Sequence, residues 1–209
     1  GAAGVERAEW VLEDHLDRFF NSAAGLQLEV PISKQELTEV VHQLIERNGG
    51  GDGGIRFVMT GGYSENGYQP STPNLVAMSY AFTPPPARQF EEGCSVLLHH
   101  YERQLPRVKT IDYLEGIRLI PTLRAAPADY PLYVDRDNNV RESDRSNFFI
   151  VKNGILITPV DDILLGITRK HIIRLAKRLD LKVAERKVSS KELLDADEAI
   201  IASSTKGAM

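Results

Sequence analysis

One primary amine, one carboxylate and two hydroxyl-bearing turns carry most of the chemistry legible in this chain. The amine is Lys109, in Pro106-Arg107-Val108-Lys109-Thr110-Ile111-Asp112-Tyr113-Leu114. The carboxylate is Glu142, which opens Glu142-Ser143-Asp144-Arg145-Ser146-Asn147-Phe148-Phe149-Ile150-Val151. The turns are Gly166-Ile167-Thr168-Arg169 and Ser203-Ser204-Thr205-Lys206. A lysine forms a Schiff base with an aldehyde, and a carboxylate keeps a pyridine nitrogen protonated. Hydroxyls and backbone amides at a helix start hold a phosphate. An aldehyde-bearing pyridine phosphate requires this set of groups. Taken alone, each has a plainer reading: a surface lysine before a helix, a charge flanking a turn, a helix N-cap.

These residues need elements to position them. Leu12, Leu16, Phe19, Phe20 and Ala23 recur at helical spacing over Val11 to Ala24. Ser33 and Glu36 form a capping-box pattern ahead of Leu37, Val40, Val41, Leu44 and Ile45, and Asn48-Gly49 ends that helix. Gly49 to Gly54 reads as a glycine-rich turn, and Ile55–Thr60 and Asn74–Phe82 as strands. Pro84-Pro85-Pro86 can continue neither a helix nor a central strand, so a domain boundary is placed there. Beyond it, Cys94–Tyr101 reads as a strand and Thr110–Leu123 as a helix. Leu132–Val134 and Asn147–Thr158 read as strands, the latter folded into a hairpin at Lys152-Asn153-Gly154. Thr168–Leu179 is a basic amphipathic helix. Val183–Val188 and Ala199–Ser203 are strands, separated by a short helix opened by Ser189 and Glu192. Such mixing of helices and strands defines an α/β (α+β) class.

Composition sets outer bounds. The 209 residues, 42% hydrophobic and 26% charged, suit a folded chain with a substantial core. A net charge of −4 gives no basic surface for nucleic acid, and no stretch is long and apolar enough to span a membrane. The single Cys94 forms no internal disulfide, and the cytoplasm is the expected compartment. His99 and His100 are neighbours on a strand and face opposite ways, and no Cys/His spacing resembles a zinc site, so no metal is expected.

Together with Leu12-Glu13-Asp14-His15-Leu16-Asp17-Arg18, these segments resemble the class IV (fold type IV) pyridoxal phosphate aminotransferases over nearly the whole chain. That family includes branched-chain and D-amino acid aminotransferases and aminodeoxychorismate lyase. The resemblance implies two domains with pyridoxal 5'-phosphate in the cleft between them. Residues 1–86 would be the small N-terminal domain, short of the family's first strands. Residues 87–209 would be the cofactor-binding domain, truncated at its end. The resemblance makes Lys109 the Schiff-base residue and Glu142 the partner of the pyridine nitrogen. Arg18, Ile167, Thr168, Ser204 and Thr205 would bind the phosphate. Tyr113 would reach the cofactor's phenolic oxygen unless it is a core tyrosine, and Ser146 and Asn147 would shape the turn beneath the ring.

The implied reaction moves an amino group from an amino acid to a 2-oxo acid, in a homodimer. The arginine–histidine carboxylate trap of D-amino acid aminotransferases is missing from Gly61-Gly62-Tyr63-Ser64-Glu65-Asn66-Gly67-Tyr68. Arg145 and Lys206 are candidates to replace it, the alternative being that both are solvent charges. D-amino acids are the first expectation for the donor and branched-chain L-amino acids the second. Two other readings remain: a lyase releasing pyruvate and 4-aminobenzoate, and a non-catalytic relative, against which the joint presence of Lys109, Glu142 and Arg18 argues.

Overall fold

The computed structural model describes residues 2–209, with side chains from Val11 onward. Its contacts divide the chain into two compact units. One holds Gly1–Thr83 together with Val108–Ile111, and the other holds Pro84–Arg107 and Asp112–Met209.

The first unit contains α1 (Ala2–Gly25), α2 (Lys34–Arg47), β1 (Gly54–Thr60) and β2 (Asn74–Tyr80). The capping box closes as expected: Glu36 N–H donates to Ser33 Oγ at 3.2 Å, and Ser33 N–H to Glu36 Oε2 at 2.7 Å. Leu16 and Ala23 of α1 and Leu37 and Val41 of α2 are buried, which accounts for their helical spacing. β1 and β2 form an antiparallel hairpin from Gly54↔Tyr80 to Thr60↔Asn74. The α1 helix ends in a Schellman turn, with Leu28 N–H bonded to Ala23 O at 2.9 Å and Gln27 at φ 56°. A glutamine in the left-handed region gives no sequence warning of that stop, whereas Gly49 after α2 does.

The second unit contains α3 (Arg88–Glu91), β3 (Val96–His100), α4 (Leu114–Arg118), α5 (Ile120–Ala125), β4 (Tyr130–Val134) and β5 (Asn139–Ser143). These are followed by β6 (Asn147–Lys152), β7 (Ile155–Thr158), α6 (Ile167–Arg178), β8 (Lys182–Glu185), β9 (Val188–Ser189), α7 (Ser190–Leu194), β10 (Glu198–Ser203) and β11 (Gly207–Ala208). Two sheets form, in orders β3-β4-β5-β9 and β11-β10-β6-β7-β8. Leu132, Val140 and Val188 of the first sheet bury against Phe148, Ile150, Ile157 and Ile201 of the second. On the outer face of the five-stranded sheet, Phe149 and Ala202 pack with Ile173 of α6. The alternation Phe148–Phe149–Ile150 thus feeds two separate layers of core. Asn153 (φ 50°) and Gly154 (φ 71°) make the β6–β7 turn, as an Asn-Gly pair favours.

Three sequence expectations need correction. The single helix over Thr110–Leu123 is two short helices that begin only at Leu114. Asp112 Oδ1 accepts the Leu114 N–H at 3.1 Å, and Pro121 lacks the amide needed to run α4 into α5. The strand over Val183–Val188 is divided: β8 pairs with β7 in one sheet and β9 with β5 in the other. The strand β5, which carries Glu142, was not expected at all. Its Arg141-Glu142-Ser143 sequence hides the strand, because those polar side chains are buried without apolar alternation.

Candidate active site

On the first unit, the half-buried Arg18 lies one helical turn before Ser22 on α1. Ser22 Oγ accepts the backbone N–H of Lys109 at 3.0 Å. One turn further on, a Cβ at Gly25 would stand 2.9 Å from Val108 Cγ2, so a side chain there would crowd the segment. Ser22 and Gly25 of α1 therefore seat the Val108-Lys109 segment. Arg18 and Lys109 both lie on this unit, and the remaining candidates lie on the second.

On the second unit, Glu142 is 5% exposed, and both of its oxygens are engaged. Oε1 accepts from Arg103 Nη1 at 2.9 Å, and Oε2 from the Leu164 N–H at 3.0 Å. A cation and an amide thus hold a buried carboxylate in one orientation. Asn147, also buried, donates from Nδ2 to Leu164 O at 2.7 Å. Gly166 lies so close to Asn147 Oδ1 that an added Cβ would overlap it. Glu142 and Asn147 grip the backbone N–H and C=O of Leu164, three residues before α6 begins. The N-cap of α6 is Gly166, which has no side chain to cap the first turn, and Ile167 and Thr168 are its first two residues. Such a start presents its amides and the positive end of the helix dipole to an anion.

Ser146 is buried, and its Oγ accepts from Lys206 Nζ at 2.9 Å. Lys206 Nζ also stands 3.9 Å from the centroid of the Tyr130 ring. Lys206 is 8% exposed, so it is not a solvent charge. The Ser203 hydroxyl accepts the Lys206 N–H and leaves Ser204 and Thr205 exposed at the turn. Arg145 is exposed and pairs with Asp144 Oδ2 at 3.1 Å. Tyr113 is half-buried and occupies the N-cap position of α4 without a side-chain cap. Burial pushes the Tyr133 and Tyr130 hydroxyls above the usual tyrosine range, so both stay protonated near neutral pH.

The sequence reading missed Arg103 and the Leu164 amide, the two partners of Glu142. No sequence signal marks either, since arginine is ordinarily a surface residue and an amide belongs to every residue but proline. The second unit also forms an open pocket of about 220 Å³ beside this pair, lined by Tyr101, Arg103, Tyr133, Arg141, Glu142 and Asp162 among others.

On the second unit, a buried carboxylate locked in place and a helix start without a side-chain cap fit the ring nitrogen and the phosphate of pyridoxal phosphate. The family described as amino-transferase class IV matches residues 6–209, and the chain belongs to it. Class IV aminotransferases are pyridoxal phosphate enzymes, so the chain is an enzyme of that cofactor class. It is 31% identical over 208 residues to a Methanocaldococcus jannaschii protein assigned as a branched-chain-amino-acid aminotransferase, covering 96% of this chain and 72% of that one. It is 29% identical over 202 residues to the D-alanine aminotransferase of Bacillus licheniformis, covering 94% and 71%. A Legionella pneumophila crystal structure assigned as a 4-amino-4-deoxychorismate lyase superposes with a TM-score of 0.86 at 27% identity, covering 94% and 75%. The mixed α/β fold is that of fold type IV aminotransferases.

Proposed function

We propose that the protein transfers an amino group from an amino acid to a 2-oxo acid, with D-amino acids the favoured donors and branched-chain L-amino acids the next. The observation that carries this reading is the locked, buried Glu142 beside the uncapped start of α6. Bound pyridoxal phosphate supplies a carbonyl that accepts the amino group and a ring that accepts the electron pair of the α-C–H bond. Lys109 Nζ is the covalent anchor and moves the proton at the substrate α-carbon. Glu142 keeps a proton on the ring nitrogen. The Ile167 and Thr168 amides, the Ser204 and Thr205 hydroxyls and the Arg18 guanidinium bind the phosphate. Tyr113 serves the phenolic oxygen, and Ser146 and Asn147 hold the turn under the ring. Arg145 and Lys206 take the substrate carboxylate, and the enzyme works as a homodimer.

The similarity to a D-alanine aminotransferase favours the first donor class, and that to a branched-chain enzyme the second. The likeness to an assigned aminodeoxychorismate lyase keeps release of pyruvate and 4-aminobenzoate as the alternative reaction. One panel decides: D- and L-amino acids with 2-oxoglutarate, and aminodeoxychorismate alone. Amino transfer from D-alanine faster than from L-leucine supports the reading. 4-Aminobenzoate release without amino transfer replaces it with the lyase.

A further inference from the structure

Three successive backbone carbonyls leading into the site each accept a hydrogen bond from a different arginine. Pro159 O accepts from Arg169 Nη2 at 2.8 Å, Val160 O from Arg107 Nη2 at 2.8 Å, and Asp161 O from Arg141 Nη1 at 3.1 Å. The three arginines come from three parts of the candidate site. Arg169 follows Thr168 in the first turn of α6, Arg107 lies two residues before Lys109, and Arg141 adjoins Glu142 on β5. Two of them are held further. Arg169 pairs with Glu185 at 2.9 Å, and Arg141 pairs with Asp135 at 2.5 Å and with Asp162 at 3.3 Å. Asp162 adopts φ 52°, in the left-handed region, so the turn takes a conformation that needs outside support.

Stability alone is a poor explanation for this arrangement. Arg141 and Arg169 are 8% and 4% exposed, and Arg141 Nε is buried with no hydrogen-bond partner. Burying a guanidinium carries a large desolvation penalty, and apolar side chains of similar volume often serve stability as well. Charged forks do something apolar side chains cannot: they fix the direction of carbonyl groups. We propose that Arg107, Arg141 and Arg169 form a positioning clamp. It holds the Pro159–Gly166 turn so that the Leu164 amide stays on Glu142 and the α6 amides stay aimed at the cofactor phosphate. Hydrogen bonds to an anion tolerate errors of only about 0.5 Å, so a loosened turn weakens phosphate recognition before it disturbs the fold. The proposal rests on the pyridoxal phosphate reading given above.

The test is to titrate the cofactor-free full-length protein with pyridoxal phosphate and with pyridoxal, which lacks the phosphate. The ratio of the dissociation constant for pyridoxal to that for pyridoxal phosphate measures phosphate recognition separately from ring binding and from folding. Arg141→Met should lower that ratio at least fivefold, Arg141→Lys less, and the exposed Arg107→Ala about two- to threefold. Ratios within experimental error of the wild type for Arg107→Ala and for whichever Arg141 variant folds would overturn the clamp. A wild-type protein that binds both compounds equally, or neither, would instead overturn the cofactor-site reading, and the clamp with it.

Discussion

Replacing Arg103 with methionine removes the cation from a carboxylate that stays buried. The two groups stand 2.9 Å apart, with side chains 19% and 7% exposed. Breaking such a pair by deleting one partner costs about 3–5 kcal/mol. Glu142 keeps the Leu164 amide, and Arg103 is partly solvated, so the lower end applies: about 3 kcal/mol. In a chain of this size each kcal/mol moves the midpoint by about 2–4 °C, giving a fall of about 6–12 °C. Thermal unfolding of the cofactor-free protein, followed by circular dichroism, reads it directly. The double variant Arg103→Met/Glu142→Gln leaves no charge at this pair and keeps an acceptor for the Leu164 amide, so it should recover more than half of the loss. If the single variant melts within about 2 °C of wild type, or the double variant is no more stable than the single, the carboxylate is not held as described.

Other outcomes follow from the same geometry. Lys109→Ala should lose about 10²–10⁴-fold or more in amino transfer with an unchanged circular dichroism spectrum; turnover near the wild-type rate would remove the lysine from the mechanism. Gly166→Ala drives a methyl group into Asn147 and strains its bond to Leu164, so it should cost about 1–3 kcal/mol in a urea melt, and a neutral result would count against the close packing. Burial would raise the Asp135 carboxyl's pKa, but hydrogen bonds from Asn139 and the Arg141 charge hold it below the ordinary value. The stability it contributes is therefore complete above about pH 4 and is lost as pH falls through the lowered value, so Asp135→Asn should flatten the acid limb of the stability curve; an unaltered acid limb would refute this. Arg145→Ala and Lys206→Ala should each raise KM for the amino donor, and unchanged kinetics in both would remove them from substrate binding.

The sequence by itself determined the local pieces. Helical spacing marked α1, α2 and α6, the Ser33–Glu36 box marked a start, and Asn153-Gly154 marked a hairpin, because each rests on neighbours within a few residues. It also marked Lys109, Glu142 and the Gly166-led turn as chemistry waiting for a scaffold. Only the tertiary structure decided that Glu142 lies on a buried strand between Arg103 and Leu164, residues 39 and 22 positions away in the chain. It also decided that Lys206 is buried against Ser146, and that three arginines meet on successive carbonyls. An arginine or lysine reads as a surface charge until its partners are known. Those partners are brought close by sheet pairing and core packing, which no local pattern of charged residues encodes.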